Sequence, residues 1–464
     1  MLTQRYSLFI ACLMAADAAL GQTPTAEGLT FSFDGGVQVI QQKQAFWGLA
    51  QAFSPGSGYK SDYTWTEVYA KPGISFKKDA GEGREFFGAA SVLAAHTGST
   101  DLFQQGSNNK VLLEDGYVGL RQKQSDHASG YSFSVGAQPY RLGHGLLLAN
   151  AGGNGFENSA LVFAPRRSWE MAALAKLNTP QWTLEAFYLD AHELKSGDTN
   201  TKLAGANAIW TPAPGHHLGL AHFRVTDSTA PYPKAPVQII ENARDGLQTT
   251  DLHWRYEPTQ GAMAGFSATG ELALQRNPRI DMRAKGLGVE FGYRFTSLPF
   301  VPRLSYSGRY FSGDDPATSG RLERFDALFY DGAPPTWSSG GSGSFAFYNS
   351  NLTVHRFRVD LVLSPRDYLN VSFWDVRAAK ANSPVQYGQA ARLNITGGQV
   401  GLVSGFPVRS LSKEVYVEYT RVLNQNLFVT AGLALALPQE GVQALLPNGS
   451  KRWVGALANV VYRF

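Results

Sequence analysis

The chain has 464 residues, a formal net charge of +4 and 17% charged residues, with 44% hydrophobic residues, 12% aromatics and 49 glycines. The apolar content with few charges excludes a disordered chain, and so small a net charge gives no reason to expect a nucleic-acid partner. Abundant glycine and aromatics point to β-structure with many turns.

The chain opens "MLTQRYSLFIACLMAADAALGQ". Arg5 supplies a positive start, and Leu8 to Ala16 is an apolar run of secretory length, too short to span a membrane as a helix. Ala19-Leu20-Gly21 then offers a small-x-small cleavage site, so residues 1–21 read as a signal peptide and 22–464 as one domain. The single cysteine, Cys12, lies inside the apolar run. The processed chain would have none, which leaves no disulfide or thiolate metal site, and no cofactor or metal is implied.

After Gly21 no apolar run is long enough for a transmembrane helix. Segments of about ten alternating residues recur instead, separated by turn residues, and that is the pattern of an outer-membrane barrel. In "DLHWRY", Leu252, Trp254 and Tyr256 oppose Asp251, His253 and Arg255. In "RLSYSGRYF", Leu304, Tyr306, Gly308 and Tyr310 oppose Arg303, Ser305, Ser307 and Arg309. In "HRFRVDLVL", Phe357, Val359, Leu361 and Leu363 oppose Arg356, Arg358 and Asp360. "KEVYVEYT" sets Val415, Val417 and Tyr419 against Glu414, Tyr416, Glu418 and Thr420. The last segment, "WVGALANVVYRF", keeps small or apolar residues at Ala456, Ala458, Val460 and Tyr462 and closes on Phe464.

Strands are expected to start near Leu29, Asp62, Phe86, Val111, Gly130, Ser168, Gln181, Lys202, His216, Gly246, Ala262, Asp281, Val301, Leu352, Asp367, Leu411, Gln425 and Lys451. The fold class is therefore all-β: a transmembrane antiparallel β-barrel of about eighteen strands. A soluble β-sandwich or a propeller also alternates, but neither calls for a secretory leader or an aromatic terminus. An even strand count places both termini on the periplasmic side, and a barrel this wide leaves a lumen unless loops fill it. Residues 313–350, with "DGAPPTWSSGGSGS", form the longest irregular stretch, expected outside the cell or folded inward to narrow the pore. Residues 227–245 and 378–393 are further loops. Residues 140–170 are Gly-rich and bring together Arg141, His144, Arg166 and Arg167.

Parity assigns Arg283, Lys285, Arg303, Arg309, Arg356, Arg358, Asp360, Asp251, Arg255, Glu185, Glu414 and Glu418 to the lumen, with Arg141, Arg166 and Arg167 added from the Gly-rich stretch. One reading is plain solvation, with rows of opposite charge neutralising each other. The other is collective: arginines on adjacent strands focus a positive potential that favours anions, and guanidinium groups hold carboxylates through two parallel hydrogen bonds. Enzyme motifs are weak. "GHG" (Gly143 to Gly145) and His216-His217 lack metal-ligand spacing, and "LVSGF" lacks the glycines of a nucleophile elbow, so the chain reads as no enzyme.

Four stretches, "VLLEDGYVGL", "SVGAQPYRLGHGLLLANAGGNGFENSALVFAPRRSWEMAAL", "RFDALFYDGAPP" with "NLTVHRFRVDLVLSP", and "LSKEVYVEYTRVLNQNLFVTAGLALALP", resemble the alginate export porin family. The likeness runs from about Leu29 to Phe464, with Ala137 standing where that family usually has Arg. The resemblance implies an eighteen-stranded outer-membrane barrel of a Gram-negative bacterium, with an arginine-lined constriction for anionic polysaccharide and a monomeric state. Tyr462 and Phe464 resemble the C-terminal signal read by the barrel-assembly machinery. Expected partners are outer-membrane lipid and lipopolysaccharide, that machinery, an anionic oligo- or polysaccharide and periplasmic export partners. The function expected is export of an alginate-like polysaccharide; a general or small-anion uptake porin, and a surface adhesin or barrel enzyme, stay open beside it.

Overall fold

A computed structural model describes residues 28–49, 60–103, 106–122, 129–149, 151–234, 238–315, 317, 320–331, 345–383, 405–446, 449 and 451–464. The expected leader, most of "DGAPPTWSSGGSGS" and most of the 378–393 loop lie outside these residues.

Alternation of polar and apolar side chains makes each strand two-faced, and only closure satisfies every backbone edge in lipid. The first half of the wall is β1 (Gly28–Lys43), β2 (Tyr63–Gly81), β3 (Arg84–Gly98), β4 (Asn108–Gln122), β5 (Gly130–Pro139), β6 (Ser168–Asn178), β7 (Trp182–Asp190), β8 (Lys202–Ala213) and β9 (His216–Asp227). A small hairpin, β10 (Tyr232–Lys234) and β11 (Gln238–Ile240), stands apart. The second half is β12 (Gln248–Tyr256), β13 (Phe266–Asn277), β14 (Met282–Arg294), β15 (Arg303–Phe311), β16 (Leu352–Ser364), β17 (Asp367–Ala378), β18 (Ser410–Val422), β19 (Leu427–Pro438) and β20 (Trp453–Arg463).

Eighteen strands form one antiparallel sheet. Every wall strand pairs with its neighbours in the chain, β9 joins β12 across the small hairpin, and β1 pairs with β20 to close the ring. At the closure Phe464 and Phe33 exchange both backbone hydrogen bonds at 3.0 Å, and their rings stack 6.1 Å apart. Gly28, the first described residue, and Phe464 lie on the side of the short turns. One two-residue turn is Glu82-Gly83 between β2 and β3, with φ of 55° and 72°, the doubly left-handed turn whose twist suits a hairpin. The long connections leave from the opposite rim, which in barrels of this kind is the extracellular one.

The outer face separates this fold from a soluble sandwich. Leu29, Phe31, Val111 and Leu433 are 66%, 69%, 68% and 62% exposed, and Phe133, Val118, Leu220 and Phe357 are exposed beside them. A band of large apolar side chains this extensive needs lipid against it. Inside, the barrel is filled from the extracellular side. Trp47, Trp65, Trp169, Trp374 and Trp453 pack with Leu142, Leu146, Leu147, Leu148, Phe325 and Phe347 into one buried cluster made by wall and infolded loops together.

Candidate functional site in the barrel lumen

The β5–β6 connection turns into the lumen instead of rising above the rim. Gly143 and Gly145 take φ of +52° and +83°, and a Cβ at Gly143 would stand 2.9 Å from both Glu271 Oε2 and His253 Cγ. Glycine is needed there because the backbone lies directly on the β12–β13 wall.

Three wall glutamates hold this loop by its backbone. Glu271 accepts hydrogen bonds from the His144 and Leu146 amides at 2.6 and 3.2 Å. Glu67 accepts from the Val162 and Phe163 amides at 3.2 and 2.9 Å, and from the Trp65 indole at 2.8 Å. Glu114 accepts from the Arg167 and Ser168 amides at 2.7 and 3.0 Å, and pairs with Arg166 at 3.4 Å with both side chains buried. Carboxylates that accept two backbone donors are strong, directional anchors, and here they stand on β2, β4 and β13, which spread the loop across the pore.

A second infolded segment, from the β15–β16 connection, meets the first. The Phe329 amide donates to the Leu147 carbonyl at 2.9 Å, and the Ala149 amide donates to the Phe329 carbonyl at 3.0 Å. Arg141 bridges the two segments through Asp331 at 2.8 Å. Asp326 is the hub of the second segment. It accepts from Arg244 Nε at 2.8 Å, from the Leu328 amide at 2.9 Å and from the Tyr232 hydroxyl, while its own amide and carbonyl bond Gln275. Against the upward push of burial, Arg244 and Arg324 hold the Asp326 carboxyl down to about 2. The described part of residues 313–350 therefore takes the inward course of the two expected for it.

His144 donates from Nε2 to the Trp254 carbonyl at 2.8 Å, and its ring lies 5.8 Å from that of His217, which in turn lies 6.0 Å from His253. Burial pushes His144 down to about 3, against the pull of the Trp254 carbonyl and with the help of Arg255. A released loop would regain the ordinary histidine value of 6.5. As pH falls below that value the released loop binds a proton that the docked loop refuses, so docking weakens progressively down to about pH 3. Single-channel recordings are expected to show more frequent opening steps as pH is lowered from neutral to about 4, and the His144→Gln variant should flatten that dependence. Equal slopes in the two proteins would remove His144 as the cause.

On the wall facing the loops, β14–β16 carry the charged stripe. Arg303 pairs with Glu290 at 2.6 Å and reaches Asp360 at 3.8 Å; Arg356 shares Glu290 at 3.2 Å; Arg358 grips Asp360 at 2.5 Å. Arg356 also lies 5.1 Å over the Trp374 ring. Arg309 and Arg356 point inward but are buried at 3% and 2%, so solute in the pore meets Arg294, Arg303, Arg358 and Asp360 first. Glu414 is inward and buried, and Glu418 is inward with hydrogen bonds to Asn370 at 3.1 Å and Tyr416 at 2.7 Å. Asp251 and His253 form a buried pair at 3.1 Å under Gly143, Glu185 pairs with Lys176 at 2.7 Å, and Arg255 is exposed toward the short-turn mouth. Arg141 and Arg166 serve the loop's own structure.

Two assignments are corrected. Arg283 and Lys285 do not face the lumen. On β14 the buried, inward positions are Met282, Ala284, Gly286 and Gly288, while Arg283 and Lys285 are exposed on the outer face near the extracellular rim. Charge marks the lumen only within the height of the lipid band; above it, the outer face is wet and tolerates cations. The same parity places Glu290 and Arg294 inward, two residues absent from the expected lumen set. Arg294 stands directly opposite Arg303 in the ladder, so five inward arginines on β14–β16 face two carboxylates. The small residues Ala284, Gly286 and Gly288 were the available signal, since crowding by infolded loops favours them.

A family model described as alginate export matches residues 108–374. The chain belongs to the alginate export family. It is an outer-membrane β-barrel channel by family and fold, and the family is not one of enzymes. No curated protein matches the chain. Solved structures from Pseudomonas aeruginosa share the fold. OccK11 (OpdR) superposes with a TM-score of 0.57 at 12% identity, covering 94% of this chain and 97% of its own. The outer membrane protein OpdK gives 0.55 at 11%, covering 94% and 98%, and OpdQ gives 0.54 at 12%, covering 95% and 99%. At such identities the likeness concerns the fold alone. The family match spans the infolded β5–β6 loop and the β14–β16 stripe.

Proposed function

We propose that this member of the alginate export family passes an anionic solute, a uronate-rich polysaccharide, through the lumen. The observation that carries the reading is the stripe of five arginines against two carboxylates on β14–β16. Guanidinium groups already paired with Glu290 and Asp360 can exchange partners with a passing carboxylate at little net cost, which lets a chain move instead of sticking. The test is conductance of the refolded protein in a planar bilayer with and without oligouronate. Anion-selective current that oligouronate blocks is the expected result; current indifferent to oligouronate and to ion sign would sink the proposal.

One observation favours a second reading, uptake of small anions. Two infolded loops enter the lumen from the extracellular side, and a passage narrowed in this way suits a small solute better than a polymer. Monomeric uronate that permeates where oligouronate only blocks would select it.

Residues 1–21 would be removed on export, and Tyr462 with Phe464 would serve as the assembly signal. The exposed aromatic pair beside Phe33 supports this. Cells making a chain without Phe464 are expected to hold clearly less heat-modifiable barrel; normal levels would argue against the signal.

A further inference from the structure

The outer face of the barrel carries a basic cluster that the channel does not use. Arg276 on β13 and Arg283 on β14 stand directly opposite each other across the ladder, and Lys285 is the next outward residue on β14, opposite Leu274. The row continues sideways: Gln248 on β12 faces Arg276, and Arg224 on β9 faces Gln248. Arg276 Nε donates to Gln248 Oε1 at 3.1 Å, and the Lys285 ammonium lies 5.9 Å over the Tyr310 ring. Among the described residues no carboxylate pairs with Arg276, Arg283 or Lys285. Arg279 and Lys380, by contrast, are neutralised: Arg279 pairs with Asp245, and Lys380 with Asp315 at 2.7 Å.

Like charges facing each other directly destabilise a ladder, so this arrangement calls for an anion between them. A groove of about 910 Å³ lies on the cluster, lined by Leu274, Arg276, Arg283, Lys285 and Tyr310 and also by Asp281, Glu323 and Lys380. Its height identifies the occupant. Toward the short-turn side, the same outer face continues as Leu274 and Phe291, 52% and 45% exposed, with Leu287 and Val289 between. The cations therefore stand just above the lipid band at the extracellular rim, where headgroups of the outer leaflet lie.

We infer that Arg276, Arg283 and Lys285 form a binding site for the phosphate groups of a phosphorylated saccharide lipid of the outer leaflet, with its acyl chains along Leu274 and Leu287. Phosphate takes forked hydrogen bonds from guanidinium groups, and basic pockets at headgroup level are how membrane proteins retain anionic lipids. The site is independent of solute passage and stands whether or not the proposed function does.

The test uses the full barrel in nanodiscs, with binding of diphosphorylated lipid A and of its dephosphorylated form followed by native mass spectrometry. Wild type should prefer the diphosphorylated lipid, and Arg276→Gln with Arg283→Gln should weaken its binding roughly 10- to 30-fold while leaving conductance unchanged. Lys285→Gln alone, at an exposed position, is expected to weaken it by a smaller factor and serves if the double variant assembles poorly. Equal binding of the two lipids by wild type, or unchanged binding in the variants, would overturn the assignment.

Discussion

In the Glu114→Ala variant the β5–β6 loop is expected to come off the barrel wall and single-channel conductance to rise several-fold. Of the three glutamate anchors, Glu114 is the one that combines two backbone acceptor bonds, to Arg167 and Ser168, with a buried ion pair to Arg166. Arg166 is 2% exposed. Removing a partner from a buried pair costs about 3–5 kcal/mol, because the remaining charge stays desolvated. The least costly escape for Arg166 is to leave the wall and reach water, and the loop must go with it. The barrel can tolerate this. Its ladders close on themselves through β1 and β20 and do not depend on the loop, so a local opening lies far below global unfolding. Glu271 and Glu67 would still hold residues 144–146 and 162–163, so an intermediate conductance between wild type and a loop deletion is the specific expectation. Unchanged conductance from protein that is normally heat-modifiable would mean that the loop is not what narrows the pore.

Replacing both Arg303 and Arg358 by Gln is expected to shift ion preference strongly away from anions, read as reversal potential across a salt gradient. These two arginines are open members of the β14–β16 stripe, each in an ion pair with one of its carboxylates. Their loss leaves Asp360 without either of its cations and Glu290 with Arg356 alone. The stripe would turn from a net excess of arginine to near balance, and the fixed field that sorts ions would go with it. The shift should be large at low ionic strength and small near 1 M salt, where screening reaches only about 3 Å. Arg356 is a poorer target. It is buried against Trp374, so its removal would report on packing as much as on charge. An unchanged reversal potential at low salt would detach the arginines from selectivity.

What can be read from the sequence depends on the range over which each signal acts. Strand positions are legible, with starts from Gly28 to Trp453 falling within a few residues of expectation. The inward set of β15, β16 and β18 is legible too, because Arg303, Arg309, Arg356, Arg358 and Glu418 alternate with large apolar residues that must meet lipid. On β14 the same logic fails. Arg283 and Lys285 sit above the lipid, where the outer face is wet, and taking them as lumen residues hides Glu290 and Arg294 on the opposite parity. The inward loop leaves one trace, Leu146-Leu147-Leu148, an apolar run in a stretch too rich in glycine for a strand; such a run needs cover.

Alone, the sequence determined an all-β barrel of eighteen strands with its lipid face, because a period of two is written by neighbouring residues and needs no distant partner. Only the tertiary structure decided which way β14 faces, that Glu67, Glu114 and Glu271 hold a loop across the pore, and that Arg276 and Arg283 meet on the outer face. Those facts rest on contacts between residues far apart in the chain, such as His144 with Glu271 or Arg166 with Glu114, and no local pattern encodes which carboxylate a distant amide will find once the ring has closed.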